Sequence, residues 1–264
     1  ELLVASIIPA LILAALFFAY VIIRCWRNPA IAPPYDVAEL DWRGRTMPFL
    51  KYVVPLLGIF FVVVGSIVGG IATPTESAAL GAAAALGAAA GYRRLDWASF
   101  AVALKQTLRF TVMTLFIICG SVTFSQIMAF TQASTGLSDL VTGAGLSPLM
   151  VLVGMLAVLM FLGCFMDQVS MMMITAPLFM PVAESLGLDI VWFGVLMLMV
   201  LEISLATPPF GLLLFVAKGA APQTSMREII VSVTPFVGIV LGVVGLLIAF
   251  PELTLWLPRL MAPA

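Results

Sequence analysis

Three stretches of the chain place acidic or hydroxyl side chains beside prolines and glycines within strongly apolar sequence. They are GGIATPTESAA at 69–79, FLGCFMDQVSMMM at 161–173 and LEISLATPPFGLLLFVAKGAAP at 201–222. In hydrocarbon, a backbone N–H or C=O without a partner is costly, so a broken helix there must face protein or a polar cavity. These residues therefore predict that backbone and side-chain oxygens bind an ion or a polar ligand.

The third stretch carries the strongest helix-breaking signal. Its paired prolines at 208 and 209 have no amide N–H, so we expect the carbonyls around Ser204 and Leu205 to lose their helical partners. Gly211 allows the helix to restart, which predicts one half-helix ending near Leu205 and another beginning near Phe210. Carbonyls at the first end suit a cation, and N–H groups at the second start attract an anion.

The second stretch has the polar residues of a predicted helical hairpin. Gly163 interrupts an apolar run, and Asp167, Gln168 and Ser170 follow it. An ionisable residue at membrane depth indicates a functional site. Asp167 is equally well placed to cap the second helix of the hairpin, and the sequence leaves both roles open.

The first stretch reads as a turn between two helices. We expect Thr75 to cap the following helix, with Glu76 in its first turn, where the helix dipole favours an anion. A plain turn would use the same residues, so a turn alone and a turn with a functional contact both remain open. Glu202, about one turn before the third break, would be costly to ionise unless its carboxylate is paired.

The elements that must position these residues follow from composition. Hydrophobic residues make up 63% of the chain and charged residues only 9%, whereas soluble domains carry about 25% charged residues. We therefore predict an all-α integral membrane protein, a multi-span bundle with a re-entrant helical hairpin and an interrupted helix. The predicted order is a transmembrane helix at 1–23, a cytoplasmic linker at 24–51, a helix pair at 52–92, a cytoplasmic amphipathic arm at 93–109, a span and outer loop at 110–147, the re-entrant hairpin at 148–183, the interrupted helix at 190–221 and a last span at 229–250.

Charge gives an orientation and excludes some classes of function. In this arrangement every lysine and arginine except Arg259 falls on one side, which the positive-inside rule makes cytoplasmic, so the C-terminus is expected in the periplasm. A net charge of −1 argues against a nucleic-acid surface. The chain has no histidine, and its three cysteines are scattered, so no zinc, haem or disulfide pattern is present. Because it begins without methionine or a basic leader, we expect it to be part of a longer protein.

The three stretches, in this order and spacing, resemble the large membrane (M) subunit of the tripartite ATP-independent periplasmic (TRAP) transporters. The motifs are GGIATPTESAALG at 69–81, GCFMDQVSMMMITAPLFMPVAESLGLDIVWFGV at 163–195 and EISLATPPFGLLLFVAKGAA at 202–221. The resemblance covers essentially the whole chain, as the C-terminal half of such a subunit. It implies a transporter of elevator type rather than an enzyme, with residues 52–264 as the second of two inverted repeats.

The resemblance also implies an activity and partners. TRAP transporters import organic acids, such as C4-dicarboxylates, sialic acid or other carboxylates, across the bacterial inner membrane with sodium as the transported coupling ion and no organic cofactor. A periplasmic substrate-binding protein delivers the substrate, and a small membrane (Q) subunit supports or is fused to the M subunit. By this similarity the sodium-binding residues are expected to be Gly163, Phe165, Asp167, Ser170, Ala206, Thr207 and Gly211. The substrate pocket is expected to include Thr73, Thr75, Glu76, Gln168, Glu202, Pro208, Pro209 and Phe210.

Other readings of the same residues make different predictions. A divalent-anion/sodium symporter of related fold would be expected to carry serine, asparagine and threonine at the hairpin tip, where this chain reads GCFMDQVS. Asp167 and Glu202 can alternatively form a proton relay, which would make the carrier proton-coupled. A membrane-embedded hydrolase lacks its usual HExxH, GxSxG or GxGD signature in this chain. A purely structural subunit would have no use for polar groups at the midplane.

Overall fold

The computed structural model of the protein describes residues 1–29, 42–132, 136, 139, 143, 145–208 and 211–261. All regular secondary structure in these ranges is helical. The α-helices are α1 (Leu2–Ala5), α2 (Ile7–Arg27), α3 (Trp42–Pro48), α4 (Val54–Val68), α5 (Pro74–Gly91), α6 (Trp97–Phe130), α7 (Pro148–Gly163), α8 (Gln168–Ser185), α9 (Ile190–Ser204), α10 (Leu212–Ala220), α11 (Met226–Ala249) and α12 (Glu252–Met261). A π-helical segment, Phe49–Val53, joins α3 to α4.

Four of the described helical segments are long and apolar enough to cross a membrane. They are Leu2–Arg27, Thr46–Val68, Trp97–Met128 and Met226–Ala249. Helices α7 and α9 are equally apolar but have only 16 and 15 residues, which is short for a complete span. The prediction of an all-α membrane protein is confirmed.

The described chain forms two compact units, which we describe separately. The larger unit contains residues 1–28 and 113–264, and the smaller unit contains residues 29–112. Helix α9 is the centre of the larger unit, because α1, α7, α8, α11 and α12 all pack against it. This explains why α9 is apolar on all of its faces from Trp192 to Leu201, instead of having one apolar stripe.

Polar groups hold α9 in register within the larger unit. The side chain of Asp189 accepts hydrogen bonds from the N–H groups of Val191 and Trp192, at 2.9 and 3.0 Å, and so caps the helix. The indole N–H of Trp192 donates to the carbonyl of Leu247 at 2.9 Å. That carbonyl is available because Leu247 lies in the last turn of α11, where carbonyls have no partner within the helix.

The smaller unit is built on the helix pair α4 and α5. A Cβ added at Gly81 would lie 2.6 Å from a methyl group of Val63, and the hydroxyls of Ser66 and Ser77 are 2.7 Å apart. The small residues of α5 thus permit close helix packing.

Two predicted boundaries differ from the structure. The first helix extends beyond residue 23 to Arg27, and helical structure resumes at Trp42, so both ends of the predicted 24–51 linker are helical and residues 30–41 lie outside the described ranges. The predicted arm at 93–109 and the following span form one continuous helix, α6. Asp96 caps its start, accepting from the N–H of Ser99 at 2.8 Å, and no proline interrupts it afterwards.

Candidate site at the hairpin turn and the helix break

The candidate site consists of two irregular segments of the larger unit. The hairpin turn, residues 163–170, joins α7 to α8, and the helix break, residues 204–211, joins α9 to α10. Both segments interrupt apolar helices, so each leaves backbone polar groups outside a regular helical ladder. Pro209 and Phe210, two of the predicted pocket residues, lie outside the described residues.

The hairpin turn is organised around Asp167, which is the N-cap of α8. One carboxylate oxygen accepts from the N–H of Ser170 at 3.0 Å, and the other accepts from the Ser170 hydroxyl at 2.5 Å. The capping role predicted for Asp167 is therefore present in the structure, and Ser170 is its partner. Gln168 is the first residue of α8 and is half-buried.

The helix break begins and ends close to the predicted positions. Helix α9 ends at Ser204 with Leu205 as its C-cap, and α10 begins at Leu212 with Gly211 as its N-cap. Residues 201–215 are thus two helices with an irregular connection, as the prolines predict.

The carbonyls of Ser204 and Leu205 lose their helical partners as predicted, but they are not left without hydrogen bonds. The Ser204 carbonyl accepts from the N–H of Thr207 at 3.1 Å, and the Leu205 carbonyl accepts from the N–H of Leu213, also at 3.1 Å. The chain doubles back at the break, so N–H groups outside α9 replace those that the prolines lack. Among the carbonyls of these two segments that receive no hydrogen bond from another described residue are those of Gly163, Cys164, Ala206 and Thr207.

The hairpin turn and the helix break lie in direct contact. A Cβ added at Gly163 would lie 1.8 Å from the Ser204 hydroxyl oxygen and 2.3 Å from the Ser204 Cβ, so only glycine fits there. The buried thiol of Cys164 lies 3.5 Å from the carbonyl oxygen of Pro208, to which it donates, and 3.4 Å from that of Met160. Two of the carbonyls without hydrogen bonds therefore belong to the turn and two to the segment that it touches.

Gly211 packs against the inside of the break. A Cβ added there would lie 2.6 Å from the Leu205 carbonyl oxygen and 2.7 Å from that of Thr207. Ala206 is buried, and the Thr207 hydroxyl donates to the carbonyl of Ile203 at 3.0 Å. A hydroxyl that donates once keeps two lone pairs, so the Thr207 oxygen remains able to bind a cation.

No cluster of three or more acidic, thiol or imidazole side chains forms among the described residues. A cation bound between the turn and the break would therefore be held by carbonyl and hydroxyl oxygens, with at most one carboxylate, Asp167, nearby. The side chain of Phe165 does not point into such a site, because it is 54% exposed and its ring packs on Phe161 with centroids 5.3 Å apart.

Glu202 lies apart from the turn, in a cleft of about 480 Å³ in the larger unit. The cleft is apolar apart from this side chain, and Ala206 of the helix break also lines it. Its other lining residues are Leu13, Phe17, Leu198, Met199, Ile203, Leu213, Val233, Phe236 and Val240.

The predicted pocket residues Thr73, Thr75 and Glu76 belong to the smaller unit. Thr73, not Thr75, is the N-cap of α5, because its hydroxyl accepts from the N–H of Glu76. The Glu76 carboxylate in turn accepts from the N–H and the hydroxyl of Thr73 at 2.8 and 2.7 Å, which completes a capping box. The prediction that Thr75 caps this helix is wrong, and its side chain is exposed.

Sequence reasoning missed two residues of the contact, Ser204 and Cys164. Ser204 is fully buried, and its hydroxyl donates to the carbonyl of Leu201 at 2.7 Å. A serine inside an apolar helix, one turn before a proline pair, and a glycine inside another apolar helix are the available signals, because small residues mark close approach in membrane helices.

Comparisons with known proteins place these features in context. The family described as tripartite ATP-independent periplasmic transporter, DctM component, matches residues 1–253. The C4-dicarboxylate TRAP transporter large permease protein DctM of Pseudomonas aeruginosa is 30% identical over 98% of this chain and 60% of its own length. The ectoine/5-hydroxyectoine large permease protein UehC of Ruegeria pomeroyi is 30% identical over 97% and 59%. The sialic acid large permease protein SiaM of Vibrio cholerae is 29% identical over 97% and 59%. The chain thus spans about 60% of the length of these relatives.

Proposed function

The chain belongs to the DctM family, the large permease component of tripartite ATP-independent periplasmic transporters, and from that premise we propose that it carries one cation site of a sodium-coupled importer of organic acids. Members of this family are transporter subunits and not enzymes. Family membership sets aside the divalent-anion/sodium symporter and the membrane hydrolase as readings of the sequence.

The observation that carries the proposal is the contact between the hairpin turn and the helix break. Four carbonyls without hydrogen bonds in the described chain lie on these two touching segments. At membrane depth such groups need a partner. Carbonyl and hydroxyl oxygens are suitable ligands for a hard cation such as sodium, so the carbonyls of Gly163, Ala206 and Thr207, with the Thr207 hydroxyl, are the proposed ligands.

The same arrangement provides for an anion. Helices α8 and α10 both begin at the candidate site, and the N-terminus of a helix attracts negative charge. A bound sodium ion adds a full positive charge to this region. The substrate carboxylate then binds favourably only after the sodium ion has bound. Sodium binding and substrate binding are thereby coupled without an arginine.

The substrate class rests on the relatives. Their names specify C4-dicarboxylates, sialic acid and ectoine, and each of these compounds contains a carboxylate group. We propose that this protein takes a carboxylate as well, from a periplasmic binding protein and together with a small membrane subunit. The protein then lies in the bacterial inner membrane, with its C-terminus in the periplasm.

Ion replacement tests the proposal. The complete transporter is reconstituted in liposomes with its binding protein, and uptake of labelled succinate or N-acetylneuraminate is measured in sodium chloride and in choline chloride at the same pH. We expect uptake only with sodium. Thr207→Val should raise the sodium concentration for half-maximal uptake about tenfold, which corresponds to about 1.4 kcal/mol. Thr207→Ser, which keeps the hydroxyl, should have the wild-type value.

A matched control variant separates an effect at the ion site from the effect of removing any threonine hydroxyl. Thr123 in α6 makes the same type of local bond as Thr207, donating to the carbonyl four residues earlier at 3.0 Å. Thr123→Val should leave the sodium dependence unchanged. Uptake that persists in choline, follows a proton gradient and is lost in Glu202→Gln would replace sodium coupling by proton coupling.

A further inference from the structure

Several backbone carbonyls of this chain accept a hydrogen bond from a side chain that is distant in sequence. In the smaller unit, the Lys51 carbonyl accepts from the hydroxyl of Tyr92. In the larger unit, the Leu247 carbonyl, in the last turn of α11, accepts from the Trp192 indole. A proline inside a helix creates the need for such a donor, because the carbonyl four residues earlier loses its N–H partner.

Helix α8, the second arm of the hairpin, contains the same arrangement. Pro177 lies inside this helix and has no N–H to give to the carbonyl of Met173. The hydroxyl of Ser121, on helix α6, donates to that carbonyl at 2.6 Å. The two residues are 52 positions apart in sequence, so this bond joins α8 to α6, a helix that is distant from it along the chain.

The location of this bond gives it a role beyond providing a partner for the Met173 carbonyl. Met173 lies six residues after Asp167, which is about 9 Å along the helix. Asp167 and Ser170 form the cap at the start of the same helix. A donor on α6 that fixes the second turn of α8 therefore also fixes the position of the hairpin turn within the larger unit.

We propose that Ser121 is a positioning residue for the hairpin, because its hydroxyl replaces the donor that Pro177 removes and so holds the helix that begins at Asp167. The part of this inference that concerns transport rests on the proposed function. The part that concerns the hydrogen bond does not.

Ser125 provides a matched control. It lies one turn after Ser121 on the same helix, and both line a cavity of about 470 Å³ together with Met173, Pro177 and residues of the following turn of α8. In the described part of the chain, Ser125 makes no hydrogen bond through its side chain. Ser125→Ala removes the same atom from the same environment without removing the bond.

A double-mutant cycle in the complete transporter tests the proposal. Ser121→Ala should lower the melting temperature by roughly 2–4 °C, the shift expected for one ordinary hydrogen bond in a protein of this size, and should raise the sodium concentration for half-maximal uptake at least threefold. Pro177→Ala returns an N–H to the helix, so the double variant should recover both quantities. Ser121→Thr should also retain them, and Ser125→Ala should resemble the wild type.

The two readouts distinguish the possible failures. A double variant as impaired as Ser121→Ala in both quantities, or Ser121→Ala indistinguishable from Ser125→Ala, would overturn the proposal. If Ser121→Ala does not accumulate in the membrane, accumulation of the double variant supports the proposal and its absence contradicts it. If wild-type uptake does not require sodium, the proposed function fails, while the melting temperatures still decide the role of the bond.

Discussion

The turn before α5 and the contact between the hairpin turn and the helix break look alike in sequence but differ in burial. Each has a proline, a threonine and an acidic residue beside small residues. At the first, Thr73 and Glu76 satisfy each other in a capping box on an exposed surface, beside carbonyls of residues 69–72 that receive no hydrogen bond from a described residue. At the second, the Asp167 carboxylate accepts from the N–H and the hydroxyl of Ser170, and carbonyls without hydrogen bonds lie beside a buried contact.

The difference lies in burial. Gly163, Ser204 and Ala206 are buried, whereas Thr73 and Glu76 are exposed. A capping box fixes where a helix starts, and it uses the carboxylate that would otherwise be available to a ligand. Because a buried carbonyl without a partner is costly, we propose that the ion binds at the contact between Gly163 and Ser204 and that the Thr73–Glu76 pair serves stability.

The largest predicted effect is that of Gly163→Ala. The added Cβ would lie 2.3 Å from the Ser204 Cβ, a position from which no rotation can move it. We expect a loss of about 3 kcal/mol of stability, at the upper end of overpacking, and loss of sodium-dependent uptake, measured by thermal unfolding and by uptake in liposomes.

Two further variants show whether this effect is caused by the contact between Gly163 and Ser204. Gly154→Ala, in the same helix but with open space around it, should be neutral or slightly stabilising. Adding Ser204→Gly to Gly163→Ala removes the clashing atoms and should recover part of the uptake. Equal effects at residues 154 and 163 would show that the turn and the break do not touch.

Gly211→Ala should have a smaller but still substantial effect. Its Cβ would press on the carbonyl oxygens of Leu205 and Thr207 at 2.6 and 2.7 Å, and it would therefore displace a proposed sodium ligand. We expect a clear rise in the sodium concentration for half-maximal uptake, with only a small fall in the melting temperature. Gly219→Ala, in α10 with nothing within 4 Å, is the control, and a similar result for both would remove the break from the site.

Thr73→Ala should have the smallest effect of the three. Loss of an N-cap costs about 1 kcal/mol, so the melting temperature should fall modestly, while the sodium dependence of uptake should stay at the wild-type value. Thr75→Ala should change neither quantity, because Thr75 is not the cap. A change in sodium dependence in Thr73→Ala would contradict the division between the two regions.

The sequence was sufficient for the features that depend on local rules. Proline chemistry predicted the interruption between α9 and α10, and side-chain capping predicted the role of Asp167 at the start of α8. Composition predicted an all-helical membrane protein. Each of these depends on residues that are close together in the chain.

The sequence was insufficient where distant parts of the chain meet. The carbonyl of Leu205 is satisfied by the N–H of Leu213, because the chain doubles back in a way that local rules do not specify. The hydroxyl of Ser121 finds a carbonyl 52 residues away. The choice of Thr75 as the cap was instead a missed local rule, because the residue before a proline is extended and proline is favoured at the first helical position, which makes Thr73 the cap.

Equilibrium binding of radioactive sodium to the purified complete transporter tests the central claim most directly. We expect saturable binding to the wild type and to Thr123→Val, and at least tenfold weaker binding at one site in Thr207→Val. Sodium binding of Thr207→Val equal to that of the wild type would show that the helix break does not hold the ion.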